Sequence, residues 1–348
     1  MRVGILTFEK AINYGTSLQA AALIAVLREL GVEVSFVSHS CEEIDKTSRV
    51  FDWKQIGSPA YVLAHLYNFD VALRRRLAFR DFWDKYYVFG SGLPTDYDAV
   101  VVGSDQVWNY NLTAKDWFYY LDYNKGKSKK VSYAGSFGLA QIDTALQPTI
   151  SSLLEDFDYI SVREQTAASI VEELCGKKVP VVLDPTLLLD RQHWKRMADS
   201  SFNNKGYIFV YTVFNSDSLW EYAYELSKRT GLPIFTISYS KIHRRNAEYS
   251  YTAGPSQWLS YMLNADYVVT NSFHGFAFSV NFEKQFYYEL PPKSSGVGSR
   301  LSDMAKTYGL TSREIKYASD KDIDYGPVRE KMQKAREESM NFIRSFLK

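Results

Sequence analysis

The apolar run Tyr267-Val268-Val269-Thr270 leads through Asn271-Ser272-Phe273 to His274 and Gly275, then into Phe276-Ala277-Phe278. Read as strand, turn and helix, this spacing puts His274 at a helix N-terminus, where free backbone N–H groups and the positive end of the helix dipole gather. An imidazole there can hand a proton to a ligand that the helix end holds as an anion, so phosphate or carboxylate chemistry is expected. Ser272 reads as an N-cap or hydroxyl donor, and Gly275 as a place where a ligand approaches the backbone. A lone histidine on an apolar helix is ordinarily a satisfied core residue, but His274 opens its helix. His39, His65, His193 and His243 lack such a setting and read as structural.

Permanent positive charge is available nearby. Arg163 follows the apolar segment Tyr159-Ile160-Ser161-Val162, and an arginine at a strand end offers a planar fork for carboxylate or phosphate, although a surface ion pair with Glu164 is the simpler reading. Lys293 and Arg300 lie downstream of the histidine and can reach the same place; the residues alone do not choose between them. Asp105, in Gly103-Ser104-Asp105-Gln106-Val107-Trp108-Asn109, can take a proton from a sugar hydroxyl or merely cap a turn, and Trp108 can stack on a sugar ring. Arg74, Arg75, Arg76 and Arg80 fall in a helical pattern and read first as a solvated face. Their second reading is peripheral binding to an anionic membrane surface or a lipid diphosphate.

Other chemistries lack their residues. No G-x-x-x-x-G-K-[ST], H-E-x-x-H, G-x-S-x-G or paired C-x-x-C occurs, and Gly296-x-Gly298 follows a proline turn without a third glycine. Cys41 and Cys175 stand far apart with no second ligand at metal spacing, so no metal is expected and a reducing cytoplasm fits.

The elements that must position these groups form an α/β chain. Val3 to Phe8 reads as a strand, Asn13 to Ser17 as a small-residue loop, Leu18 to Leu30 as a helix stopped by Gly31, and Val32 to Val37 as a second strand. This is a parallel βαβ unit, which presents its loop at the carboxyl edge of a sheet, where ligands bind. Trp53 to Tyr87 is predicted helical, and strands follow at Ala99 to Val102, Lys130 to Ala134, Tyr159 to Val162 and Val179 to Leu183. Asp199 to Gly206 reads as a linker. Beyond it come strands at Tyr207 to Thr212, Pro233 to Ser238, Tyr267 to Thr270 and Gln285 to Glu289, with helices at Ser218 to Arg229 and Ser256 to Asn264. The expectation is two Rossmann-like α/β lobes, residues 1–198 and 206–323, facing across a cleft, with a final helix over 324–348 that packs back on the first lobe. Four loops converge on that cleft: Asn13 to Ser17, Gly103 to Asn109, Ala134 to Gly138, and Asn271 to Gly275.

A chain of 348 residues suits two domains, and 46% hydrophobic with 23% charged residues is ordinary globular composition. Net charge is +1, so nothing global draws the chain to nucleic acid, and the anion site must be local. The opening apolar run is too short for a signal peptide, and no stretch approaches the ~18 apolar residues that span a bilayer. Twenty-six tyrosines fit carbohydrate handling and core packing equally well.

Six motifs in order resemble the polysaccharide pyruvyltransferase family: Asn13 to Ala20, Val102 to Asn109, Tyr133 to Gly138, Ile160 to Glu164, Val182 to Thr186, and Thr270 to Gly275. The resemblance implies a two-lobed glycosyltransferase-B-type fold that transfers pyruvate from phosphoenolpyruvate to two hydroxyls of a sugar or lipid-linked oligosaccharide, giving a cyclic ketal and phosphate with no other cofactor. It implies that His274 and Arg163 bind or activate phosphoenolpyruvate, with Ser272, Gly275 and either Lys293 or Arg300 on the donor side. Asp105 is the expected base, and Asn13, Gly15, Gln106, Trp108 and Asn109 the expected acceptor side. Asn271 departs from the aspartate that many relatives carry. A nucleotide-sugar glycosyltransferase of the same architecture and a non-catalytic glycan-binding module are the alternatives.

Overall fold

The structure, a computed structural model, describes residues 1–47, 58–90, 94–123, 128–243, 245–291 and 299–348. In the first lobe the order is β1 (Arg2–Leu6), α1 (Tyr14–Glu29), β2 (Glu33–Phe36), α2 (Glu42–Thr47), α3 (Pro59–Tyr86), β3 (Ala99–Val102), β4 (Lys129–Gly135), α4 (Gln147–Glu155), β5 (Tyr159–Val162), α5 (Gln165–Cys175) and α6 (Arg191–Met197). The second lobe continues with β6 (Ile208–Tyr211), α7 (Asp217–Thr230), β7 (Ile234–Ile237), β8 (Glu248–Ser250), α8 (Pro255–Asn264), β9 (Tyr267–Thr270), α9 (Phe273–Asn281), β10 (Gln285–Tyr288) and α10 (Ser299–Tyr308), and α11 (Gly326–Phe346) closes the chain.

Each lobe holds a five-stranded parallel sheet, ordered β2-β1-β3-β4-β5 and β10-β9-β6-β7-β8. Both orders reverse direction beside their first strand, at β1/β3 and β6/β9, and such switch points open a crevice at the carboxyl ends of the strands. Alternation along the strands decides which faces are covered. Ala99 and Val101 face one apolar cluster while Val100 and Val102 face another; Phe209 and Tyr211 share the first cluster, and Ile208 and Val210 a third. Helices therefore cover both faces of both sheets.

The first cluster is continuous from Val3 in one sheet to Phe286 in the other. At its centre the Tyr14 ring stacks on Trp258 at 6.0 Å and its hydroxyl donates to the carbonyl of Ala253 at 2.9 Å. Trp194 and Trp258 close on Phe278 at 4.9 and 5.0 Å. The two lobes thus press together over apolar surface beside the crevice. The helix α11 touches both: Ser339 Oγ accepts from Leu183 N at 3.0 Å in the first lobe, and Arg336 donates to Asn281 Oδ1 at 2.9 Å in the second.

Three predicted elements change. The loop expected at Asn13 to Ser17 gives its last four residues to the first turn of α1, which starts at Tyr14 because the Asn13 side chain caps it. The strand expected at Val179 to Leu183 shrinks to one parallel bridge between Val162 and Val181, because Pro180 has no N–H to extend a ladder. The helix expected from Trp53 begins at Pro59, after the Ser58 cap, and Trp53 lies outside the described residues.

Candidate active site

Four carboxyl-edge segments meet at one place. Arg163 leaves the end of β5 with its side chain 1% exposed. Its Nη1 donates to Asp184 Oδ2 at 2.8 Å and to Ser104 Oγ at 3.3 Å. Its Nη2 lies 3.9 Å from Asp105 Oδ1 and its Nε 3.7 Å from Glu164 Oε2, yet neither nitrogen makes a hydrogen bond. From the second lobe, His274 brings its Nε2 to 3.7 Å from the same Asp184 Oδ2, also without a hydrogen-bond partner. Phe273 presents its ring to two guanidinium groups, that of Arg163 at 4.9 Å and that of Arg300 at 5.7 Å, and the buried Nε of Arg300 is unpartnered as well.

Local backbone explains the aim of each group. Ser272 accepts from Gly275 N at 3.3 Å and starts α9 just before His274, so the ring projects from the first turn. Asn13 caps α1 in the same way, accepting from Thr16 N at 3.1 Å. Gly15 then lets α1 approach the imidazole: a Cβ there would sit 1.9 Å from His274 Nδ1. Asp105 adopts φ +85°, next to the β4 irregularity where Ala134 has φ +53°. Non-glycine residues in that region are strained, and such strain concentrates at functional sites. The turn directs Asp105 Oδ2 to accept from Thr16 Oγ1 at 2.6 Å and Oδ1 from Gln106 N at 2.8 Å.

Electrostatics bind the group into one unit. Burial alone would push the Asp184 carboxyl up, but His274 and Arg163 outweigh it and hold the group well below the usual carboxylate range. Burial, followed by repulsion from Arg163, pushes Arg300 down to about 10. Two buried guanidinium groups with unused N–H donors call for an anion that can take several hydrogen bonds at once. They line a cavity of about 320 Å³ together with Glu164, Asp184, Phe273 and Asp303. His274 is not among the residues of that cavity wall, but its Nε2 lies 3.7 Å from Oδ2 of the wall residue Asp184. A cavity of about 450 Å³ elsewhere carries Glu221, Glu225, Glu289 and Glu314 with Lys316 and no guanidinium group. Among the described residues, no group of three His, Cys, Asp or Glu could hold a metal ion.

The polysaccharide pyruvyl transferase family model matches residues 13–288, from the α1 cap to the end of β10. The chain belongs to that family. No functionally curated protein matches this pyruvyl transferase family member significantly. Among solved structures, UDP-GlcNAc 2-epimerase from Methanocaldococcus jannaschii superposes with a TM-score of 0.51 at 13% identity, covering 97% of this chain and 92% of that one. The Neisseria meningitidis enzyme of the same name, bound to UDP-GlcNAc, gives 0.46 at 12% identity, covering 99% and 100%. The first likeness establishes a glycosyltransferase-B-type fold for this pyruvyl transferase family member.

The structure brings His274, Arg163, Arg300, Asp105, Ser272 and Gly15 together. Trp108 cannot stack on a sugar: it is 0% exposed, packed on Phe137 at 5.2 Å, with its N–H given to the Tyr119 carbonyl at 3.2 Å. Asn109 is likewise internal, its Nδ2 donating to Gln106 Oε1 at 3.1 Å, and Gln106 sits where a Cβ on Gly138 would fall. Gly275 is small so that α9 can pack on β9, since a Cβ there would lie 2.2 Å from Thr270 Oγ1, and its N–H donates to Ser272 Oγ at 3.3 Å. Asn13 uses its Oδ1 in the α1 cap and is otherwise exposed. Lys293, Gly296 and Gly298 lie outside the described residues. Asn271 uses both ends of its amide, accepting from Val213 N and donating to the Phe214 carbonyl. Residue reading missed Asp184, the hub of the cluster. Its signal was the motif Leu183-Asp184-Pro185, but aspartate before proline reads as a turn, and Asp184 Oδ1 does accept from Thr186 N at 3.0 Å.

Proposed function

We propose that this protein transfers pyruvate from phosphoenolpyruvate to two hydroxyls of a sugar in a polysaccharide or its precursor, forming a cyclic ketal and releasing phosphate. The observation that carries this reading is the set of unsatisfied, buried nitrogens on Arg163, Arg300 and His274, two lobes' worth of donors converging around Asp184. Arg163 and Arg300 would hold the phosphate and carboxylate, and the Phe273 ring keeps the two guanidinium groups oriented.

In the reaction, protonated His274 gives its proton to C3 of phosphoenolpyruvate, making the methyl group, while a sugar hydroxyl oxygen bonds to C2 and its proton passes to Asp105. Both carboxylate oxygens of Asp105 already accept one hydrogen bond and each retains a second lone pair. The bond from C2 to the phosphate oxygen then breaks, leaving an oxocarbenium ion beside the departing phosphate, whose negative charge the Arg163 and Arg300 guanidinium groups take up. The neighbouring hydroxyl bonds to C2, and its proton goes to phosphate. One phosphoenolpyruvate and one diol thus become one ketal and one phosphate. Burial of the cluster excludes the water that would otherwise capture the cation.

His274→Ala is expected to abolish phosphate release from phosphoenolpyruvate in the presence of a diol sugar, while circular dichroism shows an unchanged fold. Normal turnover by that variant would refute the assignment of the acid.

A further inference from the structure

With Trp108 in the core, the acceptor needs contacts elsewhere, and one arginine supplies an unclaimed one. Of the basic residues on α3, Arg74, Arg76 and Arg80 point to solvent, whereas Arg75 turns towards the second lobe. Its guanidinium lies 4.1 Å from the centroid of the Tyr239 ring, and its Nε and Nη1 are buried with no hydrogen-bond partner. Stacking on a ring satisfies the face of a guanidinium but leaves its in-plane N–H donors unused, and buried donors of a charged group are costly to leave so.

The surroundings place Arg75 at the mouth of the crevice. Here α3 is tied to the second lobe: Lys241 N donates to Asn68 Oδ1 at 2.8 Å, Lys241 Nζ pairs with Asp70 at 2.6 Å, and Gly254 packs so closely that a Cβ would lie 2.7 Å from the Ala78 carbonyl oxygen. Tyr239 remains 53% exposed, so the arginine abuts solvent and not core. Burial raises the Tyr14 hydroxyl pKa well above its ordinary value, with Tyr239 adding to the rise and Arg75 opposing it, which marks the three as neighbours. Tyr14 precedes Gly15, the residue against which the His274 ring rests. Arg75, Tyr239, Tyr14, Gly15 and His274 therefore form one path from the surface to the proposed acid.

We infer that Arg75, set over the Tyr239 ring, binds an oxyanion carried by the acceptor, either a phosphate at its linkage or a carboxylate on a sugar ring. The inference rests on the proposed function for the meaning of "acceptor", and it assigns Arg75 a binding role apart from the donor cluster. An arginine fork suits two coplanar oxygens of either group. Since a plain sugar is neutral, the residue selects for acceptors that carry charge.

The test is calorimetric titration of the full chain with glucose 1-phosphate and, separately, with glucuronate, each in the presence of saturating phosphoenolpyruvate. At least one of the two is expected to bind, the phosphate arm or the carboxylate arm naming the source of the charge. Arg75→Gln should weaken that binding by about tenfold or more, with phosphoenolpyruvate affinity unchanged. Arg75→Lys, which keeps the charge and loses the fork, should fall between, and serves as the readout should the glutamine variant fold poorly. Equal binding by wild type and both variants, or no binding of either sugar by wild type, would overturn the inference. Arg75-dependent sugar binding by a protein that fails to bind phosphoenolpyruvate would leave this inference standing and defeat the donor assignment instead.

Discussion

Asp184 stands between a guanidinium and an imidazole that come from different lobes, and its removal should show in stability and turnover together. Asp184→Asn leaves Arg163 and His274 without their shared countercharge; breaking a buried pair of this kind costs about 3 kcal/mol or more. The pH dependence has a definite sign. The native carboxyl is held below its ordinary value of 3.8, so its contribution is fully present above that pH and is lost as pH falls below it. Denaturant titrations should therefore show a constant gap between wild type and Asp184→Asn at neutral and mildly acid pH that narrows below pH 3.8. A gap that widened on acidification would contradict the pairing. His274, Arg163 and Asp105 were nameable from sequence because a polar or charged residue just past an apolar strand stands out, whereas the residues alone give Arg300 only as an alternative to Lys293. Asp184 was not, because its turn-forming role hides its ionic one, and Trp108 misled because residue type says nothing about which side of a sheet it faces.

Helix starts set the geometry around the imidazole. Gly15→Ala puts a methyl group where His274 Nδ1 now lies, so either α1 or the ring must move. Misplacement of a catalytic group by about 1 Å costs on the order of a hundredfold in rate. We expect steady-state phosphate release to fall by about that factor with thermal unfolding little changed; wild-type rates would show that α1 does not position the acid. The βαβ order and most strands were legible from apolar runs between glycine and polar turns. The edge strand β8, over Glu248–Ser250, was not, since its three residues alternate polar and aromatic without an apolar run. Nor was the order of strands within each sheet, which depends on contacts between distant segments that local pattern does not carry.

Across the molecule, the two lobes share one apolar cluster in place of an open, wet interface. Trp258, wholly buried between Tyr14, Tyr211 and Phe278, should cost about 3–5 kcal/mol when replaced by alanine, and both lobes should unfold in one transition by fluorescence and circular dichroism alike. Separate transitions would show two independent halves. Two lobes were visible in the sequence, but their union was not, because aromatic residues on α1, α8 and α9 read equally well as the cores of separate domains. Among the described residues no helix is long and apolar enough to cross a membrane. What that union does for function is most directly tested by a crystal structure of the His274→Ala protein with phosphoenolpyruvate. The phosphate and carboxylate are expected on Arg163 and Arg300, with C3 facing the position vacated by the imidazole, as the proposed roles of these residues require. Phosphoenolpyruvate bound away from both arginines, or with C3 turned from residue 274, would contradict it.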